Sequence, residues 1–313
     1  MKRIILCIFS LLMCISFGGC GSSEEKSNEL MLKETYEFEN KSSFELVKIM
    51  TTKNIKPSMG GSLYYKAEEE NQTYIDMILN YTNLRTDSIN CEKVATMQVT
   101  TDKNEVYYAK FFGIEKDNYT YISTYDEIEP LKQTRLHIGV TVPEDTQTAS
   151  IKLVVDGKGY SYDYNLSETV REDLPITIND KIGNEDDVVL ELKNVEFIDE
   201  LLPQDTSSAY RYYKPDDSSN KYLSVNFNIT NNTESSKEAE DFVNIKTKFM
   251  NKYNYDGFIV VEEDDLRGFS SYEDIKPLTT RSAYCLIEVP ETLEKESFEL
   301  TFFFNGKEYV YKK

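Results

Sequence analysis

The sequence predicts an all-β protein, two β-sandwiches in tandem, and three observations carry that reading. One strand occurs twice: residues 74–83 (YIDMILNYTN) and 222–231 (YLSVNFNITN) lie 148 positions apart and alternate in the same phase. Ile75, Met77, Leu79 and Tyr81 answer to Leu223, Val225, Phe227 and Ile229. Period-two alternation closing in Thr-Asn reads as a half-buried strand entering a loop. Next, the dipeptides Asp156-Gly157 and Asn305-Gly306 each sit between alternating apolar runs, the mark of a type I′ hairpin. Finally, no stretch carries a 3.6-residue apolar stripe long enough for a main helix. About seven strands in each ~130 residues, punctuated by turn residues, is a sandwich pattern.

The chain opens with Met1-Lys2-Arg3, an apolar run over residues 4–17, and Gly18-Gly19-Cys20. A run of roughly fourteen residues is shorter than a membrane span and suits a signal-peptide core. With small residues before Cys20 and Gly21-Ser22-Ser23 after it, residues 1–19 resemble a bacterial lipoprotein signal peptide, although Phe17 stands where that family prefers an aliphatic side chain. The resemblance implies that Cys20 becomes the mature N-terminus and carries a diacylglycerol thioether. That would hold the protein on the extracellular face of the cell membrane. Residues 20–33 are polar and charged and read as a flexible tether.

The first sandwich is expected over residues 34–166 and the second over 174–313, with 167–173 (SETVRED) as linker. Tyr36 and Phe38, then Phe44, Leu46 and Ile49, match Ile176 and Ile178, then Leu190, Leu192 and Val195. The step from two residues to three in both runs predicts a shared β-bulge. Tyr64-Tyr65-Lys66 and Tyr212-Tyr213-Lys214 precede the repeated strand. Beyond it, residues 94–100 and 105–113 read as strands, as do 242–249 and 255–261. Proline-led loops at 125–131 and 272–278 open onto Leu136, Ile138, Val140 and Val142, and onto Ala283, Cys285, Ile287 and Val289. Each of those strands closes in Val-Pro-Glu. The final hairpins set Ile151, Leu153 and Val155 against Tyr160, Tyr162 and Tyr164, and Leu300, Phe302 and Phe304 against Tyr309 and Tyr311.

Residues 188–197, 221–231, 275–278 and 283–291 resemble the telokin-like, immunoglobulin-type domain of Gram-positive surface lipoproteins, akin to the mycobacterial immunoprotective extracellular antigen. The resemblance spans nearly the whole mature chain and implies two immunoglobulin-like sandwiches. It implies no chemistry, since that family has none established.

Composition narrows the function. The formal charge is −20, and loss of Lys2 and Arg3 with the leader takes it to −22. Such a surface repels phosphate backbones, which argues against nucleic acid. With 40% hydrophobic residues the chain can build real cores. Cys7 and Cys14 fall in the leader, so only Cys91 and Cys285 remain in the folded part, one per sandwich. Cys285 takes the inward phase and reads as a small core residue, whereas Cys91 falls in a turn region and is expected to be the more exposed. His137, the one histidine, alternates with inward Leu136 and Ile138 and is expected at the surface. The acidic runs Glu68-Glu69-Glu70 and Glu262-Glu263-Asp264-Asp265 project in several directions and read as solvated loops, not calcium sites. No catalytic residue, metal or cofactor is indicated. The paired Tyr64, Tyr65, Tyr212 and Tyr213 are the best candidates for a ligand surface, since aromatic faces pack on sugar rings.

The expectation is therefore a non-enzymatic, lipid-anchored surface protein binding a cell-wall, carbohydrate or protein partner. Two alternatives stand beside it: the binding component of an uptake system, and an extracellular hydrolase working through carboxylates.

Overall fold

A computed structural model describes residues 28–61, 63–116 and 119–313; the leader and Cys20 lie outside the described residues. Among the described residues the regular structure is strand apart from three short 3₁₀ turns, and it forms two β-sandwiches of two main sheets each. In the first, one sheet runs Asn28–Glu29, Lys158–Asn165, Thr148–Val155, Ala95–Thr101, Val106–Tyr108. The facing sheet runs Tyr121–Ser123, Phe111–Lys116, Gln133–Pro143, Gln72–Asn83, Ser42–Thr52, Val170–Arg171, and Thr35–Phe38 also pairs with Ser42–Thr52. The second sandwich keeps this order. One sheet runs Leu174–Pro175, Lys307–Lys312, Phe298–Phe304, Val243–Phe249, Tyr253–Asp256. The other runs Lys181–Gly183, Val188–Ile198, Asn220–Asn231, Thr279–Pro290, Phe258–Glu262, Phe269–Ser270.

Gln72–Asn83 and Asn220–Asn231 are central strands with partners on both sides. Their inward side chains, among them Met77, Leu79, Leu223 and Phe227, are completely buried, in two separate cores. The bulges fall where the spacing predicts them, between Leu46 and Lys48 and between Leu192 and Asn194. Both hairpin tips take two successive positive φ angles, 48° and 85° at Asp156-Gly157 and 47° and 71° at Asn305-Gly306, as a type I′ turn requires. Each central strand ends in a buried asparagine that ties down the next loop. Asn83 Nδ2 donates to the Asp87 and Ile128 carbonyls, and Asn231 Nδ2 to those of Ser235 and Ile275.

Several expectations need correction. The strands expected at 105–113 and 255–261 each break in two, because the chain crosses between sheets. Val106–Tyr108 pairs with Ala95–Thr101, while Phe111–Lys116 pairs with Gln133–Pro143. The crossing in the second sandwich is at Gly257, where a Cβ would lie 2.8 Å from the Leu286 carbonyl oxygen. The tether does not run free to residue 33: Asn28–Glu29 adds a parallel edge strand to Lys158–Asn165, and Leu30 is buried in the core. Leu174–Pro175 does the same on Lys307–Lys312, so Ile176 corresponds to Leu30, not to Tyr36. The linker is likewise paired, Val170–Arg171 lying against Ile49 and Lys48.

Nor are the repeated strands half-buried throughout. From Thr73 to Leu79 the first is buried on both faces, because residues 55–61 and 63–67 cross the outer face of the sheet as a strap. A small second core of Ile55, Ala67, Tyr74, Phe111 and Ile122 fills the space beneath. In the second sandwich Leu201 packs in the same way over Tyr222, Val260, Phe269 and Leu286.

Candidate functional site

His137 lies beneath this strap. It does point away from the main core, yet it is only 1% exposed, so the expected surface histidine is a buried one. Nδ1 faces Asp76 Oδ2 at 3.0 Å and Nε2 faces Glu115 Oε1 at 2.8 Å. Both carboxylates are buried too. Two acceptors on one ring are satisfied only by imidazolium, which donates from both nitrogens. Burial by itself would lower the histidine pKa, but the charge and hydrogen bond of Asp76, then those of Glu115, outweigh it and raise it to about 10. Glu115 Oε1 also accepts the Ser58 N–H at 2.9 Å and its hydroxyl at 2.7 Å. The serine therefore donates to a glutamate, and neither ring nitrogen is free to take its proton. The geometry is that of a bracket holding the strap down, not of an activated nucleophile. The second sandwich has a related contact: buried Glu262 accepts the Gln204 backbone N–H at 3.3 Å and its Nε2 at 2.9 Å.

Arg135 carries this network into the second sandwich. Its side chain is 2% exposed. One terminal nitrogen donates to Ser58 Oγ at 2.9 Å and the other to the Gly306 carbonyl at 2.5 Å, while the guanidinium lies 4.8 Å from the Phe303 ring centre. The Asn305-Gly306 tip thus docks on the first sandwich, where a Cβ on Gly306 would come within 2.9 Å of the Tyr119 hydroxyl. Asn244 Nδ2 donates to the Met59 carbonyl at 2.7 Å. Beside these contacts Lys48 and Arg171 pair with Glu308 at 2.8 and 3.1 Å, and Arg171 with Glu299 at 2.5 Å. Burial would raise the Glu308 pKa, but Lys48 and then Arg171 hold it down to about 2.

The other end of the strap forms an open cleft of about 470 Å³. Tyr64, Tyr65, Tyr74 and Phe111 supply its aromatic lining and Glu68 and Lys110 are among its polar groups. Tyr65 packs on Phe111 with ring centres 4.7 Å apart and donates its hydroxyl to the Ile122 carbonyl. Tyr64 is half exposed, with Lys56 over its ring. Gly139 forms part of the lining, and a Cβ there would meet Ile55, Phe111 and Tyr74 at 2.8–3.2 Å. The tyrosines of the second sandwich are arranged differently. Tyr213 packs against Phe258 and Phe269, whereas exposed Tyr212 pairs with Tyr210, ring centres 6.0 Å apart. The four tyrosines named from the sequence thus include two that share one cleft.

Cys91 is completely buried at the start of a short 3₁₀ turn, not exposed, and burial raises its pKa. Cys285 is buried as expected and pushed to about 12 by burial. The run 262–265 is not simply solvated: Glu263 pairs with Arg211 and Asp264 with Arg281, in addition to the Glu262 contact. Among the described residues no group of three or more His, Cys, Asp or Glu side chains could hold a metal ion, and no helix is long and apolar enough to cross a membrane.

No family model and no curated protein matches the chain. Among solved structures it is similar to an uncharacterised beta-sandwich protein from Clostridium difficile 630, at 26% identity and a TM-score of 0.42, over 45% of this chain and 94% of that one.

Proposed function

We propose that the protein is a non-enzymatic, lipid-anchored surface protein that binds a saccharide of the cell wall or cell surface in the Tyr64–Tyr65 cleft. The observation that carries this reading is the cleft itself, about 470 Å³ with an aromatic wall and charged groups at its margin. Ring faces pack on the apolar faces of sugars, and a few convergent polar groups fix orientation. The leader and Cys20 support the anchor. The two halves are read as copies of one telokin-like immunoglobulin unit. Their common sheet order, matching bulges and paired Asn83 and Asn231 contacts support that.

Calorimetric titration of soluble wall-polysaccharide fragments tests the binding. Tyr64→Ala and Tyr65→Ala are each expected to weaken it roughly tenfold or more, as loss of an aromatic anchor does. If the unaltered protein binds no fragment, or both variants bind as well as it does, the reading fails. Mass spectrometry of the mature N-terminus tests the anchor separately, and an unmodified Cys20 would remove it.

A further inference from the structure

We propose that the second sandwich positions the cleft of the first, by holding the strap of residues 55–61 and 63–66 in the shape that presents Tyr64 and Tyr65. This rests on the reading of that cleft as the binding site. The strap is one short segment with two attachments. At the cleft end Asn54–Ile55 pairs with Tyr65–Lys66, and Ile55 is buried beneath. At the other end Ser58 and Met59 are bonded to Glu115 and to the Tyr119 carbonyl within the first sandwich. The second sandwich bonds Met59 directly and reaches Ser58 through Arg135, a residue of the first sandwich. Asn244 takes the Met59 carbonyl, and Arg135 spans Ser58 Oγ and the Gly306 carbonyl. Gly60 is close against this contact: a Cβ there would lie 2.9 Å from Asn244 Nδ2, and its φ is +86°. Next along, Gly61 runs so close to the first sandwich that a Cβ there would lie 2.6 Å from the Thr120 carbonyl oxygen, which ties the segment leading to Tyr64 to the same contact. Coupling of this kind is reciprocal, so occupancy of the cleft would in turn tighten the docking of the second sandwich.

Hydrogen exchange of the full chain, read by mass spectrometry, tests the coupling without any ligand, so it stands or falls apart from the saccharide reading. Asn244→Asp keeps the shape of the side chain and removes its donor. Asn244→Ala removes both. Each is expected to speed exchange in peptides covering Met59, Gly60 and Ala67 roughly three- to tenfold, the range expected for one lost hydrogen bond. Peptides from Thr148–Val155 and Val243–Phe249 should keep their protection, which shows that both sandwiches remain folded. Unchanged exchange across the strap, with both sandwiches folded, would overturn the proposal. Loss of protection everywhere would also count against it, because Asn244 would then support the whole fold instead of the strap.

Discussion

Replacing His137 by Gln is the sharpest test of the buried bracket. The unaltered site holds Asp76 and Glu115 against one imidazolium, with Arg135 close by, so four buried charges cancel. Glutamine removes one positive charge and leaves two carboxylates in a dry site. Breaking a buried ion pair from one side costs about 3–5 kcal/mol. Linkage gives a similar figure. A histidine that titrates near 6.5 when unfolded and is raised to about 10 when folded contributes roughly 5 kcal/mol at about 1.4 kcal/mol per unit. Because the folded value is the higher one, this stability is fully present below about pH 6.5. It declines as pH rises and is lost above about pH 10. Urea unfolding of the two proteins at pH 7 and at pH 10.5 reads the difference. The gap should be about 3–5 kcal/mol at neutral pH and should close at the higher pH, where the unaltered protein has also lost the proton. Adding Asp76→Asn to the glutamine variant should recover part of the loss. A gap below about 1 kcal/mol at pH 7, or one that persists unchanged at pH 10.5, would refute the assignment of imidazolium.

Three more outcomes follow from the packing. Gly157→Ala and Gly306→Ala both force a side chain onto a left-handed turn, at about 1 kcal/mol. Only the second also meets a neighbour, the Tyr119 hydroxyl, so its unfolding midpoint should fall further. Asn83→Ala and Asn231→Ala each strand two carbonyl partners, one of them within the core. Each should cost about 1–3 kcal/mol by urea unfolding, and a neutral result at either would remove its role as a loop tie. Cys91 and Cys285 are buried, and burial raises both thiols. Iodoacetamide should add no mass to the native protein from either and two adducts after unfolding, one on each.

The central strands of the two cores were legible because they obey a local rule. Leu136, Ile138, Val140 and Val142 alternate and all four are completely buried; Asp-Gly and Asn-Gly force their turns whatever surrounds them. The bracket obeys no local rule. Asp76, Glu115 and His137 come together only when their three strands pair side by side, and Ser58 joins them only when the strap closes over the sheet. One sign was present in the sequence: Tyr74, Ile75, Met77, Ile78 and Leu79 form an almost unbroken apolar run, the mark of a strand covered on both faces. The lone Asp76 inside that run then requires a buried cation. The strap, with Pro57, Gly60, Gly61, Tyr64 and Tyr65, has no period, so nothing marks it as more than a loop. Cys91 is buried against expectation for a related reason, since a turn residue is covered when its turn folds back on the core.

The pairing of Val170–Arg171 with Ser42–Thr52 has a consequence for anyone dividing this protein into fragments. A cut at the connecting segment would strip a strand from one piece and remove the cationic partners of Glu308 from the other. Arg135 would lose its Gly306 acceptor and the Phe303 ring in the same step. The separated halves would expose freshly cut surfaces that were never shaped for water, and measurements on either alone would describe a damaged object.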